Sequence, residues 1–70
     1  MRVRAGKRYR YAPVGLDVWD PRTDLQAGDV VTVVRLPGCP PPNTVGHAHV
    51  NGPDGTFAGL VLVASLGDLT

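Results

Sequence analysis

Alternating polar and apolar residues predict a β-rich chain. From Arg8 to Tyr11, arginine alternates with tyrosine. Side chains of a strand point alternately to its two faces, so the two arginines are expected on one face and the two tyrosines on the other. Pro13 cannot donate to a ladder, so this strand is predicted over 8–13. The β-branched run 30–34 follows a Gly-Asp turn and predicts a second strand over 29–36.

The second half of the chain predicts a β-hairpin. Strands over 45–51 and 56–63 flank a strong turn sequence, Asn-Gly-Pro-Asp-Gly. His47 and His49 lie two positions apart and therefore share a face of the first of these strands. Residues 64–67 predict one 3₁₀ turn, and residues 68–70 a short last strand or a frayed end. The predicted core consists of Val31, Val33, Val50, Phe57, Leu60 and Leu62.

A long loop, residues 15–28, separates the first two predicted strands and is rich in Asp and Gly. It also carries apolar residues, and such a loop usually folds back on the core. We expect it to cover Val61 and Val63 on the outward face of the last long strand, with Trp19 at least partly buried. That arrangement predicts a monomer, and a dimer paired through this strand is the alternative. One helical turn beginning at Asp20 is a second possibility for the loop.

Length and composition predict a single domain spanning residues 1–70, with 1–7 as a candidate flexible basic arm. The chain has one cysteine, so no disulfide can form within it. No apolar run approaches the roughly 18 residues that a membrane span requires. No apolar stretch follows the basic start, which argues against a secretory signal. We therefore expect a cytoplasmic protein that has no membrane partner.

Charge is distributed unevenly along the chain. Its net charge is +1, yet five of the seven basic residues fall within the first ten positions. Residues 11–70 contain two arginines and six aspartates, for a net charge of −4. Arginine forks match phosphate geometry, so a basic strand beside tyrosines suits nucleic-acid binding; solvated basic residues that protect a sheet edge are the alternative. The candidate nucleic-acid-binding residues are Arg2, Arg4, Lys7, Arg8 and Arg10.

Metal-binding and catalytic chemistry have little support in the sequence. His47 and His49 on one strand face, with Cys39, have the residue types of a metal site, but no second cysteine completes it. A Cys–His nucleophile pair also needs an orienting third group. We expect neither an enzyme nor a metal, and no cofactor. The candidate protein-binding surface comprises Tyr9, Tyr11, Trp19, His47 and His49.

The order of predicted elements resembles that of Src-homology-3-like barrels. The segments that carry the resemblance are 8–13 as first strand, 24–34 as the end of the long loop and second strand, and 51–61 as distal turn and fourth strand. The resemblance implies an all-β fold, a small antiparallel five-stranded barrel with one short 3₁₀ turn. The Leu-x-x-Gly-Asp-x-Val-x-Val phrase also resembles KOW-type and translation-factor barrels.

The resemblance does not extend to the groove that holds proline-rich peptides in that family. Tyr9 and Tyr11 match its tyrosine pair, but the expected tryptophan, proline and tyrosine are His47, Ala58 and Val61 here. Two function classes remain. The first is a small non-catalytic protein-interaction module with an unidentified protein partner. The alternative is a nucleic-acid-binding accessory domain, for DNA or RNA, that uses the basic first strand.

Overall fold

The computed structural model describes residues 2–15, 17–19, 25–37 and 39–69. Four predicted strands are confirmed with slightly shorter bounds; the 3₁₀ turn begins one residue earlier than predicted, and the last strand occupies residues 66–67 and not the predicted 68–70. Among the described residues, no helix has the length and apolarity that crossing a membrane requires. Within these ranges the elements are β1 (Arg8–Tyr11), β2 (Val18–Trp19), β3 (Val30–Arg35), β4 (His47–Asn51), β5 (Phe57–Leu62), a 3₁₀ turn (Val63–Ser65) and β6 (Leu66–Gly67).

The strands form one sheet in the order β2-β5-β4-β3-β1-β6, and every pairing is antiparallel. The expected closed five-stranded barrel is not found, because no pairing among the described residues joins β2 to β6. Five of the strands correspond to predicted ones. The additional strand, β2, forms inside the long loop and takes the edge position beside β5. The sheet is therefore open, with a two-residue strand at each edge.

One face of the sheet holds the core. The alternation predicted for β1 is confirmed, since Tyr9 and Tyr11 are buried whereas Arg8 and Arg10 are exposed. The same inward alternation holds in β3 and β4. The buried apolar residues are Val3, Tyr9, Tyr11, Leu25, Val31, Val33, Ala48, Val50, Ala58, Val61, Val63 and Leu66.

The predicted core positions in β5 are wrong. Phe57 is 42% exposed, and Leu60 and Leu62 are only partly buried, whereas Val61 and Val63 are buried. The β4–β5 register shifts between Val50 and Asn51, so that one residue of β5 bulges out of the ladder. Gly59 lies at this bulge with a φ of 136°, which side chains rarely tolerate. After the bulge the alternation places the two valines inward and the two leucines outward.

The basic N-terminal segment is attached to the sheet. Val3 is buried, and its backbone N–H donates to the carbonyl of Asn43 at 3.1 Å. The N–H of Gly6 donates to Val33 O at 2.6 Å, and the N–H of Arg4 donates to the Tyr9 hydroxyl at 2.8 Å. These bonds are distributed over the segment, so residues 2–7 do not form a free arm.

The long loop folds back on β5, as predicted, but it lies beside the leucines instead of the valines. Residue 18 pairs with Leu60, and a Cβ placed on Gly15 would lie 2.7 Å from Leu62 Cδ1. The Asp17 carboxylate accepts hydrogen bonds from the Tyr11 hydroxyl and from Leu62 N–H, the latter at 2.7 Å. The helical turn expected at Asp20 and the burial expected for the Trp19 side chain fall outside the described residues.

Candidate interaction surface

The outward side of β3, β4 and β5 carries a continuous set of partly exposed side chains. The pairing register places Arg35 opposite His49 and His49 opposite Leu60, which gives a row across three strands. A second row pairs His47 with Leu62. Residues directly opposite in antiparallel strands project to the same face, so these side chains are neighbours. We call the following set the outer face: Arg35, His47, His49, Phe57, Leu60 and Leu62.

His49 contacts two other outer-face side chains, Arg35 and Phe57. The guanidinium Nη2 of Arg35 lies 3.4 Å from Nδ1 of His49. The His49 ring meets the Phe57 ring edge to face, with centroids 5.4 Å apart and an interplanar angle of 63°. Offset and edge-to-face aromatic pairs are favourable because ring edges and faces carry opposite partial charge. In the tautomer that accepts from Arg35, the other ring nitrogen of His49 carries the proton and donates outward.

The four long strands carry positive charge without any carboxylate. β1, β3, β4 and β5 contain three arginines and no Asp or Glu. Every aspartate lies outside these strands. Asp54, in the turn before β5, accepts from the Thr56 backbone N–H at 3.1 Å and from its hydroxyl at 2.8 Å, and the pKa of Asp54 is lowered, first by the backbone bond. An anionic group bound beside Arg35 would therefore meet no carboxylate on these four strands.

The predicted basic stripe is divided by the fold. Arg8 and Arg10 lie on the outward side of β1, opposite Thr32 and Val30 of β3. Arg2 and Arg4 are exposed but precede a turn at residues 5–6, so they do not continue the strand. The ammonium of Lys7 lies 5.5 Å from the centroid of the Tyr9 ring. The structure thus places two of the five basic residues side by side on one strand.

The fold also does not bring the predicted protein-binding residues together on one surface. Tyr9 and Tyr11 are fully buried, so their rings belong to the core and offer no surface in this conformation. The side chain of Trp19 lies outside the described residues. His47 and His49 do share a face, as predicted from their spacing. Sequence reasoning missed Arg35 and Phe57 as their neighbours, because only the register of β4 with β3 and β5 brings them together.

Cys39 lies near the histidines but contacts the backbone. Its Sγ donates to the carbonyl of His47 at 3.1 Å, and burial raises the pKa of the thiol. A raised pKa disfavours the thiolate, which is the form that acts as nucleophile and metal ligand. No group of three or more candidate ligands that could hold a metal ion occurs among the described residues.

The outer face combines a guanidinium, two imidazoles and an apolar strip on one side of the sheet. Comparisons of the chain with protein-family models, with curated proteins and with solved structures each gave no match.

Proposed function

We propose that this protein is a small, non-catalytic interaction module that binds another protein through the outer face. The observation that carries the proposal is the position of Phe57, whose side chain is 42% exposed on a β-strand and flanked by His49. Energetically dominant positions in protein interfaces are enriched in aromatic residues and arginine, both of which are present here. Leu60 and Leu62 extend the apolar area beside the ring.

We also propose that the open sheet is a variant of the Src-homology-3-like arrangement. Support comes from the order of elements: strand, long loop, strand, strand, hairpin turn, strand, 3₁₀ turn and short strand. Support also comes from the sheet order, in which the first and last strands are neighbours. The same order is compatible with a KOW-type domain. Fold similarity does not define a ligand, so the function is argued from the outer face alone.

Site-specific photocrosslinking tests the proposed module. A benzophenone amino acid is placed at Phe57 in one variant and at Val14, which is 62% exposed and outside the outer face, in a matched control. Both variants are irradiated in extract of the native host. We expect a defined protein adduct from position 57 and none from position 14. Equal adducts from both positions, or adducts from position 14 alone, would contradict the proposal.

Nucleic-acid binding is a second candidate function. The observation that favours it is the exposure of Arg8 and Arg10 on strands that lack carboxylates. Affinity for DNA or RNA should then fall by about 0.7–0.9 log units per log unit of salt for each phosphate contact. Replacing both arginines by alanine should lower this slope by about one to two. Lys7→Ala, whose ammonium lies 5.5 Å from the Tyr9 ring centroid, should change it less. Absence of binding at low salt would exclude this function.

A further inference from the structure

We infer that the protein segment bound by the outer face is acidic and apolar, with a carboxylate close to a large aliphatic or aromatic side chain. The inference rests on the proposed function and specifies its partner. One row of side chains, which runs from Arg35 to Leu60, is cationic at one end and apolar at the other. The inference follows from this row and from the distribution of charge over the sheet.

The cationic end of the row is built to accept a carboxylate. Arg35 is exposed, and its contact with His49 is long, at 3.4 Å. A guanidinium has five N–H donors in a planar fork, and a carboxylate accepts two of them in parallel. Such charge-assisted pairs are stronger than neutral hydrogen bonds. The long contact with His49 involves one nitrogen of the fork, which leaves further N–H donors for a bound carboxylate.

The apolar end of the row accepts a hydrophobic side chain. Phe57 and Leu60 lie on the outer face, and Leu62 extends this strip beyond the row. Neighbouring strands are about 4.8 Å apart, so Arg35 and Leu60 are separated by about 10 Å across β4. An extended segment that crosses the strands advances about 3.3 Å per residue. Because alternate side chains of an extended segment project to the same side, the acidic and apolar residues of the partner should be two or four positions apart, which spans about 7–13 Å.

Charge complementarity favours a protein segment of this kind over an oligonucleotide. β1, β3, β4 and β5 carry no carboxylate, and the Asp17 carboxylate beside Leu62 already accepts hydrogen bonds from the Leu62 N–H and the Tyr11 hydroxyl. Single-stranded nucleic acids are usually held by several aromatic rings on which successive bases stack. Tyr9 and Tyr11 are buried, and apart from Phe57 the large apolar side chains of the outer face are the aliphatic Leu60 and Leu62. Aliphatic side chains suit an apolar side chain better than a flat base.

Nuclear magnetic resonance titration of the full ¹⁵N-labelled chain tests this inference. The probes are capped octapeptides of Ser and Gly that contain one Glu and one Leu, with the Leu one to four positions after the Glu. We expect the strongest binding at a separation of two or four, because separations of one and three place the two side chains on opposite sides of an extended peptide. Amide shifts should concentrate at Arg35, His49, Phe57 and Leu60. Exposed ion pairs contribute little in water, so Glu→Gln in the peptide should weaken binding by about two- to fivefold.

Two variants provide the matched comparison. Arg35→Gln should weaken the Glu peptide to the same extent, and the Glu→Gln exchange should then have no further effect, because the pair has already been lost. Arg10→Gln removes the same charge from β1 and should leave the affinity unchanged. Both side chains are exposed, so the fold should persist.

The outcomes separate the inference from the proposed function. Equal binding of the Glu and Gln peptides, or equal weakening by Arg35→Gln and Arg10→Gln, would overturn the acidic partner. Shifts that stay at Phe57 and Leu60 in those cases would leave the interaction module intact. If no peptide shifts the amide resonances of the outer face, the inference is also overturned. In that case crosslinking at position 57 still tests the interaction module independently. Stronger shifts of the same amides by a single-stranded oligothymidine would overturn both in favour of nucleic acid.

Discussion

The two edges of β5 are stabilised in different ways. On one edge β4 pairs with β5 through five residue pairs, and the inward side chains of both strands are buried. On the other edge β2 contributes two residue pairs, and the neighbouring Asp17 carboxylate accepts hydrogen bonds from Tyr11 and Leu62. The hairpin is therefore held mainly by apolar burial and a regular ladder. The long loop depends more on one polar side chain.

The largest expected effect comes from placing a charged side chain on the buried side of the β4–β5 hairpin. Val61→Asp places a carboxylate in the core, where desolvation costs several kcal/mol. A domain of this length has a free energy of unfolding of about 4–10 kcal/mol. We expect Val61→Asp to be largely unfolded at room temperature, as measured by far-ultraviolet circular dichroism.

Leu60→Asp is the matched control, because Leu60 is next to Val61 in the sequence and its side chain lies on the outer face. It should stay folded, with a smaller loss of about 1–2 kcal/mol as the carboxylate remains in contact with water. If Leu60→Asp unfolds the protein and Val61→Asp does not, the orientation of β5 is the reverse of the one described.

Loss of the Asp17 carboxylate should weaken the loop edge by an intermediate amount. Hydrogen bonds to charged groups contribute about 1.5–3 kcal/mol, and Asp17→Ala removes both of its bonds to Tyr11 and Leu62. Because Asp17 is only partly buried, urea unfolding should show a loss of about 1.5–3 kcal/mol for the two bonds together. Tyr11→Phe removes one donor, so Asp17→Ala should cost less in that background. Additive losses in the double variant would show that the Tyr11–Asp17 bond does not contribute.

Phe57→Ala should cost only about 1 kcal/mol in the free energy of unfolding. A fully buried phenylalanine would cost about 3–5 kcal/mol, and its expected place in the core predicted a largely unfolded variant. The residue is instead 42% exposed, and one of its contacts is the edge-to-face pair with His49, worth about 0.5–1.5 kcal/mol. Urea unfolding with an unchanged m-value checks this. Loss of cooperative unfolding in this variant would show that Phe57 belongs to the core.

The smallest effect is expected at Cys39, which bonds to the beginning of the hairpin. Burial raises the pKa of its thiol in the folded state above the value in the unfolded chain. The folded state is therefore favoured while the thiol is protonated, and stability should fall slightly as pH rises from the ordinary thiol range through the raised pKa. Comparison with Cys39→Ser isolates this contribution.

Alkylation gives a second measurement of the same group. Because the thiolate is the reacting form, iodoacetamide at pH 8 should modify Cys39 more slowly in the folded protein than in urea. Equal rates would show that the folded environment does not disfavour the thiolate.

Local sequence patterns were sufficient for most of the strands but not for the faces of β5. In β1 strict alternation allowed only one assignment, with the tyrosines inside. In Leu60 to Val63 every residue is apolar, so alternation alone leaves both orientations open, and the bulge at Gly59 decides between them. A strand as short as β2 has no detectable period, and the Asp17 bonds that place it join distant parts of the chain.

The candidate site was predictable only in part for the same reason. His47 and His49 could be assigned to one face from their spacing within a strand. Arg35 is their neighbour only because β3 and β4 pair with an irregularity between Val33 and Arg35. Phe57 looked like a core residue because large aromatic side chains are usually buried. Properties that depend on inter-strand register are not encoded in any single segment.

The pairing of β1 with β6 has a consequence for the kinetics of folding. Arg10 pairs with Gly67, so this contact joins positions separated by nearly the whole chain, whereas Asn51 and Phe57 meet across a short turn. Hairpins form within about 1–10 μs, but closing a long loop requires an entropic cost that few new contacts offset until the rest of the sheet exists. The β4–β5 hairpin should therefore form early and β6 should dock last. In the native state, the amides of β6 should exchange with solvent deuterium sooner than those of Val50 and Val61.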